Sequence, residues 1–125
     1  VGSEMCIRDR YKDGIEVERL NRYENKKSVS HVESCFSECL PTVAVSEYVR
    51  AYTNQIRQWV NGDYVTLGTD GFGRSDTREE LRNYFEISKD HIVINALIVS
   101  GNKDKAEKYI KDKKIDLNAK APWLR

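Results

Sequence analysis

The sequence is short of several features that would place it in a functional class at once. It has only two histidines and three cysteines in 125 residues, and it shows no Ser-His-Asp arrangement or cluster of metal ligands. Its formal net charge is +1, so the charge balance indicates neither nucleic acid nor an anionic membrane as a partner. The longest apolar run, HIVINALIV, stops at Ser100, well short of the roughly 20 residues needed to cross a bilayer.

What is present is the composition of an ordinary globular domain, with 39% hydrophobic and 33% charged residues. The opening residues 1–10, VGSEMCIRDR, differ from the rest. They resemble the conceptual translation of a transposon sequencing adapter; a native N-terminus is the alternative. We expect residues 1–10 to be adapter-derived and residues 11–125 to form part of one domain, entered in mid-element.

The cysteines do not predict a metal site or a disulfide. Cys6 falls within the adapter-like segment, and Cys35 and Cys39 follow His31 at intervals of four residues. On a helix these three side chains would share one face, but eight residues of helix span about 12 Å. That distance is too long for three ligands to reach one metal ion without distortion. We expect reduced cysteines on a partly buried helix, in a cytoplasmic protein with no visible secretory signal.

Apolar periodicity predicts an alternation of helices and strands, which is typical of an α/β domain. Ser46, Thr77 and Asp90 are the predicted N-caps, and the helix that follows Asp90 is apolar nearly all round, which predicts that it is buried. Two strands alone form a marginal sheet, so the pattern indicates a domain that lacks some of its strands. Helices are predicted over 11–23, 28–40, 46–60, 77–85, 91–100 and 103–113, and strands over 42–46 and 64–68.

A glycine-rich loop joins the second predicted strand to a helix, within TLGTDGFGRSDTREEL. A strand, such a turn and a helix N-terminus are the parts of an anion site, but the dinucleotide fingerprint requires a third glycine. Two aspartates in the loop would also repel a phosphate, although Arg74 would attract one. We favour a tight turn that presents Phe72 and Arg74 at a protein or domain interface. The interface candidates are Asp70, Gly71, Phe72, Gly73, Arg74, Ser75 and Asp76.

The same loop carries a family resemblance. LGTDGFGRSD at 67–76, the Arg78–Glu79 pair and Phe85–Glu86, with DGIEVERLNR and VAVSEYVRAYTNQIRQWV upstream, resemble the C-terminal domain of the homodimeric-type pyruvate dehydrogenase. Residues 25–40 match weakly. The resemblance implies a transketolase C-terminal-like three-layer α/β/α domain around a mostly parallel sheet, here truncated, with its first strand or strands missing.

The resemblance also implies a function for the parent enzyme. Such a parent decarboxylates pyruvate on thiamine diphosphate with Mg²⁺ and passes the acetyl group to a lipoyl arm. The implied partners are the remaining domains of the parent, its homodimer mate and the dihydrolipoyl acetyltransferase core. Because the family's cofactor and metal ligands lie chiefly in the preceding domains, this chain is expected to hold no catalytic, cofactor-binding or metal residue. It would contribute domain packing and dimer assembly and be inactive alone.

Two alternatives remain open. One is a fragment of another thiamine-dependent transketolase-like enzyme, which the upstream domains would distinguish. The other is a stand-alone interaction module that uses the loop around Phe72 and Arg74. A module requires a closed, stable sheet, whereas a fragment predicts exposed strand edges and aggregation.

Overall fold

The computed structural model describes residues 4–25 and 27–125. Its helices are α1 (Glu4–Glu24), α2 (His31–Cys35), α3 (Arg50–Asn54), α4 (Arg78–Tyr84), α5 (Lys89–Val99) and α6 (Lys103–Lys113). Its strands are β1 (Thr42–Val45) and β2 (Tyr64–Leu67), and 3₁₀ turns form at Arg57–Trp59 and Pro122–Leu124. The predicted α/β character and both predicted strands are confirmed.

The two strands form a small parallel sheet. Thr42 lies opposite Tyr64, and Val45 lies opposite Leu67. Parallel strands need a crossover connection, and α3 with the following 3₁₀ turn supplies it. Within the described residues, β1 and β2 pair only with each other, so each strand keeps one edge without a strand partner.

The hydrophobic core lies on one face of this sheet. Its buried members come from α2, the 3₁₀ turn and β2: Val32, Ile56, Trp59, Val60 and Tyr64, with Ile7, Phe36 and Ala44 packed against them. Tyr11 on α1 meets the Trp59 ring edge-on, with the ring centroids 5.9 Å apart. Helix α1 therefore covers the core from outside. It includes the helix predicted over 11–23 but begins earlier, at Glu4.

Helix α5 covers the other face of the sheet. Successive side chains of a strand point to opposite faces, and Val45 of β1 lines the same groove as Ile92 of α5. Helix α6 packs against α5 in turn, where the Tyr109 hydroxyl donates to Asp90 Oδ1 at 2.7 Å. The arrangement is a layered α/β/α fold. None of the helices among the described residues is long and apolar enough to span a membrane.

The burial predicted for α5 is wrong for much of its surface. Of its residues only Ile94 is fully buried, whereas Val93 and Ile98 are 38% and 42% exposed. Its start also differs, because Ser88 occupies the N-cap and Asp90 lies in the first turn. An apolar helix face without a full covering layer is a local departure from the usual burial of such side chains.

The helix predicted over 28–40 is much shorter in the structure. Ser30 caps α2 by accepting from the Glu33 amide at 3.3 Å, but the helix ends at Cys35. Beyond that point the Phe36 carbonyl accepts from the Asn61 amide at 3.3 Å, and the Ser37 carbonyl accepts from the Asn61 side chain at 3.1 Å. These tertiary hydrogen bonds replace the helical ones, so Cys39 lies outside the helix.

The long helix predicted from Ser46 is also wrong. The Ser46 hydroxyl accepts from the Tyr48 amide at 3.0 Å and forms a turn instead, and α3 begins only after Val49. The reason is that the Tyr48 carbonyl accepts from the Thr69 amide at 2.9 Å, which keeps this segment beside the end of β2. Helices α4 and α6, in contrast, lie where they were predicted, and Thr77 caps α4 as expected.

Candidate functional site

The glycine loop leaves β2 at Gly68 and reaches α4 at Thr77. Its first residues are fixed to the segment after β1. A Cβ at Gly68 would lie 2.7 Å from the Tyr48 carbonyl oxygen and 2.8 Å from the Arg50 nitrogen, so only glycine fits there. The Thr69 hydroxyl donates to the Glu47 carbonyl at 2.8 Å, and the loop therefore starts from a rigid base.

Asp70 is the first of the predicted residues, and its carboxylate faces inward. It accepts from the Arg50 backbone amide at 3.1 Å and forms an ion pair with the Arg50 guanidinium. The guanidinium lies 4.5 Å from the centre of the Trp123 ring, a cation–π geometry. Asp70 thus orients Arg50 between the loop and the C-terminal segment.

The C-terminal segment packs directly on Gly71. This glycine has φ +109°, and a Cβ there would lie 3.0 Å from Trp123 Cα. Positive φ favours glycine, and the close approach of Trp123 favours it again. The contact between the turn and the tail therefore requires glycine at position 71 for two independent reasons.

Arg74 makes the second link to the tail. Its guanidinium donates to the Arg125 carbonyl at 2.9 Å and lies 5.2 Å from the centre of the Tyr84 ring. Arg125 approaches the same ring at 5.4 Å and forms an ion pair with Glu86 at 2.8 Å. Tyr84 also donates its hydroxyl to the Pro122 carbonyl at 3.3 Å. Two arginines and the tail thus converge on Tyr84 of α4.

The remaining loop residues face outward. The Phe72 side chain is 88% exposed, and Gly73 has open space where a Cβ would be. Ser75 and Asp76 are exposed, and the Asp76 carboxylate accepts from the neighbouring Thr77 amide at 2.7 Å. The loop therefore presents a bare aromatic ring from a base that the chain itself holds in place.

Four residues that sequence reasoning did not select complete this site: Arg50, Tyr84, Trp123 and Arg125. The partners are far apart in the chain, with Arg74 and Arg125 separated by 51 positions, so no local pattern connects them. One available signal was the proline and tryptophan of APWLR in the tail, because a large aromatic residue usually finds a surface to cover.

A groove of about 440 Å³ opens between the loop and α4. Leu81, Phe85 and Ile87 contribute apolar surface, while Arg78 and Arg82 stand on its α4 side. The Arg82 guanidinium donates to Glu47 Oε1, with Nε at 3.1 Å. These bonds lower the pKa of the Glu47 carboxyl, and the charge of Arg78 lowers it further, so Glu47 is ionised at neutral pH.

Comparison with known protein families identifies the family to which this chain belongs. The model of the transketolase-like TK C-terminal domain matches residues 16–88, which is more than half of the 125 residues. The chain belongs to this family. The transketolase C-terminal-like α/β fold expected from the loop sequence is thereby confirmed.

The curated relatives of this transketolase-like domain are pyruvate dehydrogenase E1 components. The chain is 47% identical over 90 residues to that of Pseudomonas aeruginosa, covering 69% of the chain and 10% of the relative. It is 40% identical over 119 residues to that of Cupriavidus necator, covering 89% and 13%, and 38% identical over 89 residues to that of Escherichia coli, covering 69% and 10%. The chain therefore spans about a tenth of the length of these relatives.

The transketolase-like domain offers no evident metal centre in the part of the chain that is described. No group of three or more His, Cys, Asp and Glu side chains within residues 4–25 and 27–125 could hold a metal ion. His31 Nε2 lies 3.3 Å from Cys35 Sγ, whereas Cys39 follows the end of α2. His91 Nδ1 lies 2.9 Å from the Ser88 hydroxyl, and burial lowers its pKa. These contacts are structural pairings within single turns.

Replacing Asp70 by asparagine tests how the loop is anchored. Asp70→Asn removes the charge that holds Arg50, whose side chain is 36% exposed against 24% for Asp70. We expect the free energy of unfolding to fall by about 1 kcal/mol, since solvent weakens a partly exposed pair. Urea unfolding followed by circular dichroism measures this, and amide hydrogen exchange should show faster exchange at Arg50. Asp76→Asn is the matched control, and equal losses in the two variants would contradict the anchoring role.

Proposed function

We propose that this chain is a C-terminal fragment of a pyruvate dehydrogenase E1 component, in which it contributes domain packing and dimer assembly. In the parent, thiamine diphosphate with Mg²⁺ supports pyruvate decarboxylation and acetyl transfer to lipoyl groups of a dihydrolipoyl acetyltransferase core in the cytoplasm. The chain alone is inactive. The observation that carries this role is the exposed Phe72 ring on an anchored loop.

The geometry of the loop supports an interface role over a ligand-binding role. An aromatic side chain that is preorganised and exposed is typical of an interface anchor. Two charged side chains of the loop are engaged within the chain, because Asp70 is paired with Arg50 and Arg74 with the tail. What remains available for contact is the Phe72 ring and the open position at Gly73, which suits packing against protein.

The small sheet and the exposed part of α5 support the fragment reading over a stand-alone module. Each described strand has one edge without a strand partner, and Val93 and Ile98 remain partly exposed. An isolated two-stranded sheet is marginal in water, so contacts with other domains would stabilise both features. The names of the relatives favour pyruvate dehydrogenase over other thiamine-dependent enzymes.

The Mg²⁺ of the parent does not fit the carboxylates described at the groove. Mg²⁺ prefers oxygen ligands in octahedral geometry, yet the two carboxylates at the groove are engaged, Glu47 by Arg82 and Asp76 by the Thr77 amide. We therefore derive no catalytic step from this chain and propose that cofactor ligands lie elsewhere in the parent.

A chimera tests the interface role. Residues 16–125 replace the corresponding segment of the Pseudomonas aeruginosa E1 component, and Phe72→Ala is introduced into that chimera. Loss of a central aromatic anchor typically costs 2 kcal/mol or more, roughly a thirtyfold weakening of association. Analytical ultracentrifugation measures the dimer dissociation constant, and carbon dioxide release from pyruvate measures activity.

Tyr23→Ala is the matched control, since that ring is also exposed, at 78%, but lies on α1 away from the loop. It should leave association unchanged. Equal dimerisation of the Phe72→Ala chimera and its parent would contradict the interface role. Release of carbon dioxide by the 125-residue chain alone, supplied with thiamine diphosphate and Mg²⁺, would contradict its proposed inactivity.

A further inference from the structure

The groove beside the loop has an apolar interior and a charged rim. Leu81, Phe85 and Ile87 provide the apolar surface, and its volume of about 440 Å³ lies in the range of well-formed binding sites. Phe85 and Ile87 are nearly fully buried, at 9% and 5% exposure, so they form the floor, and Leu81 is the more exposed apolar side chain. A space of this size accommodates one or two apolar side chains.

The charges on the rim are unequally satisfied. Glu47 is neutralised by Arg82, Asp76 accepts from the Thr77 amide, and Arg74 is turned toward the Arg125 carbonyl. Arg78 is different, because it forms no hydrogen bond or ion pair within the described residues, and its charge is felt at Glu47 only through space. Among the described residues that line the groove, Arg78 is therefore the cationic group available to a ligand, and the same groove contains the apolar side chains.

From this arrangement we propose that the groove is a docking site for a polypeptide segment carrying an apolar side chain next to an Asp or Glu. The apolar side chain enters between Leu81 and Phe85, and the carboxylate pairs with Arg78. Charge complementarity selects an acidic partner, and guanidinium–carboxylate pairing is geometrically specific. This proposal rests on the proposed interface role of the loop. It adds which residue types the polypeptide segment that packs beside the loop must carry.

The position of Phe72 strengthens the case for a polypeptide rather than a small molecule. Gly71 and Gly73 line the groove, so the residue between them projects from its edge and is 88% exposed. A segment seated in the groove would lie against this ring as well. A small carboxylate ligand could use Arg78 but would leave Phe72 uncovered.

The test is a titration of the full ¹⁵N-labelled chain with acetyl-Ser-Leu-Glu-Ser-amide, followed by two-dimensional NMR. We expect saturable shifts at Leu81, Phe85 and Ile87. Replacing Glu by Gln in the peptide, or Arg78→Gln in the protein, should weaken binding about threefold to fivefold, as an exposed ion pair implies. Arg22→Gln, an equivalent change on the exposed surface of α1, is the control and should have no effect.

Several outcomes would overturn the docking site. They are the absence of saturable shifts in the groove, equal affinity for the Glu and Gln peptides, and equal effects of Arg78→Gln and Arg22→Gln. Displacement of the peptide by inorganic phosphate at a similar concentration would show a general anion site instead. Arg78→Lys, which keeps the charge, guards against loss of fold and should retain most of the binding. Because this readout needs no dimer, it can fail while the Phe72 chimera succeeds, and the reverse.

Discussion

Truncation of Trp59 to alanine should lower the free energy of unfolding by about 3–5 kcal/mol, the range typical of large aromatic residues in cores. Trp59 is only 7% exposed and belongs to the cluster that joins the crossover to α2 and β2. Its ring also contacts Tyr11 of α1. Removing it leaves a cavity bordered by three helical segments and a strand. Urea unfolding followed at 222 nm by circular dichroism measures the loss.

The same substitution at the other tryptophan is the matched control. Trp123 is 48% exposed, and its contacts are with Gly71 and the Arg50 guanidinium rather than with the core. Trp123→Ala should therefore cost about 1 kcal/mol, in proportion to the smaller area that it buries. Similar losses for the two variants would show that the cluster around Trp59 is not the main source of stability.

The sequence predicts those parts of the fold whose determinants are close together in the chain. Both strands follow from short β-branched runs, and the start of α4 follows from Thr77, whose hydroxyl accepts from the Glu80 amide three residues later at 3.3 Å. The cap is satisfied within one turn, and the pairing of β1 with β2, 22 positions apart in the chain, supports the strands that the local runs predict. They hold in the structure because no tertiary contact competes with them.

Two helices were predicted too long because their limits depend on residues that are distant in the chain. Apolar spacing alone continues the helix beyond Cys35 and starts the next one at Ser46. In the structure, Asn61 donates hydrogen bonds to the carbonyls of Phe36 and Ser37, and Thr69 donates one to the carbonyl of Tyr48. These partners lie more than 20 residues away, so periodicity within one segment contains no information about them.

The candidate site likewise has one part that the sequence predicts and one part that it does not. The two glycines and the exposed Phe72 follow from the loop sequence, and the structure places that ring at the surface. The anchoring by Trp123 and Arg125 does not follow, since it depends on the return of the tail to α4. Sequence reasoning found the exposed Phe72 but missed that Arg74, expected to be presented beside it, is bound to the tail and helps to hold the loop in place.

Gly14 yields a prediction in which two physical effects have opposite signs. It lies in the interior of α1, where exchanging glycine for alanine ordinarily stabilises a helix by about 1 kcal/mol. In this structure an alanine Cβ would lie 2.4 Å from Trp59 Cζ2, far inside van der Waals contact. The buried ring would have to move, and overpacking of this kind typically costs about 1–3 kcal/mol. We expect Gly14→Ala to lower the free energy of unfolding by up to about 2 kcal/mol, the overpacking cost less the gain in helix propensity, measured by urea unfolding.

A double-mutant cycle separates the two effects at Gly14. In a Trp59→Leu background the smaller side chain leaves room for the new methyl group, so only the gain in helix propensity remains. Gly14→Ala should then stabilise the protein by up to about 1 kcal/mol, and the reversal of sign measures the coupling between the two positions. If Gly14→Ala has the same effect with and without the indole, the close packing of α1 on Trp59 does not exist. In that case the glycine would need another explanation, and the position of α1 over the core would be wrong.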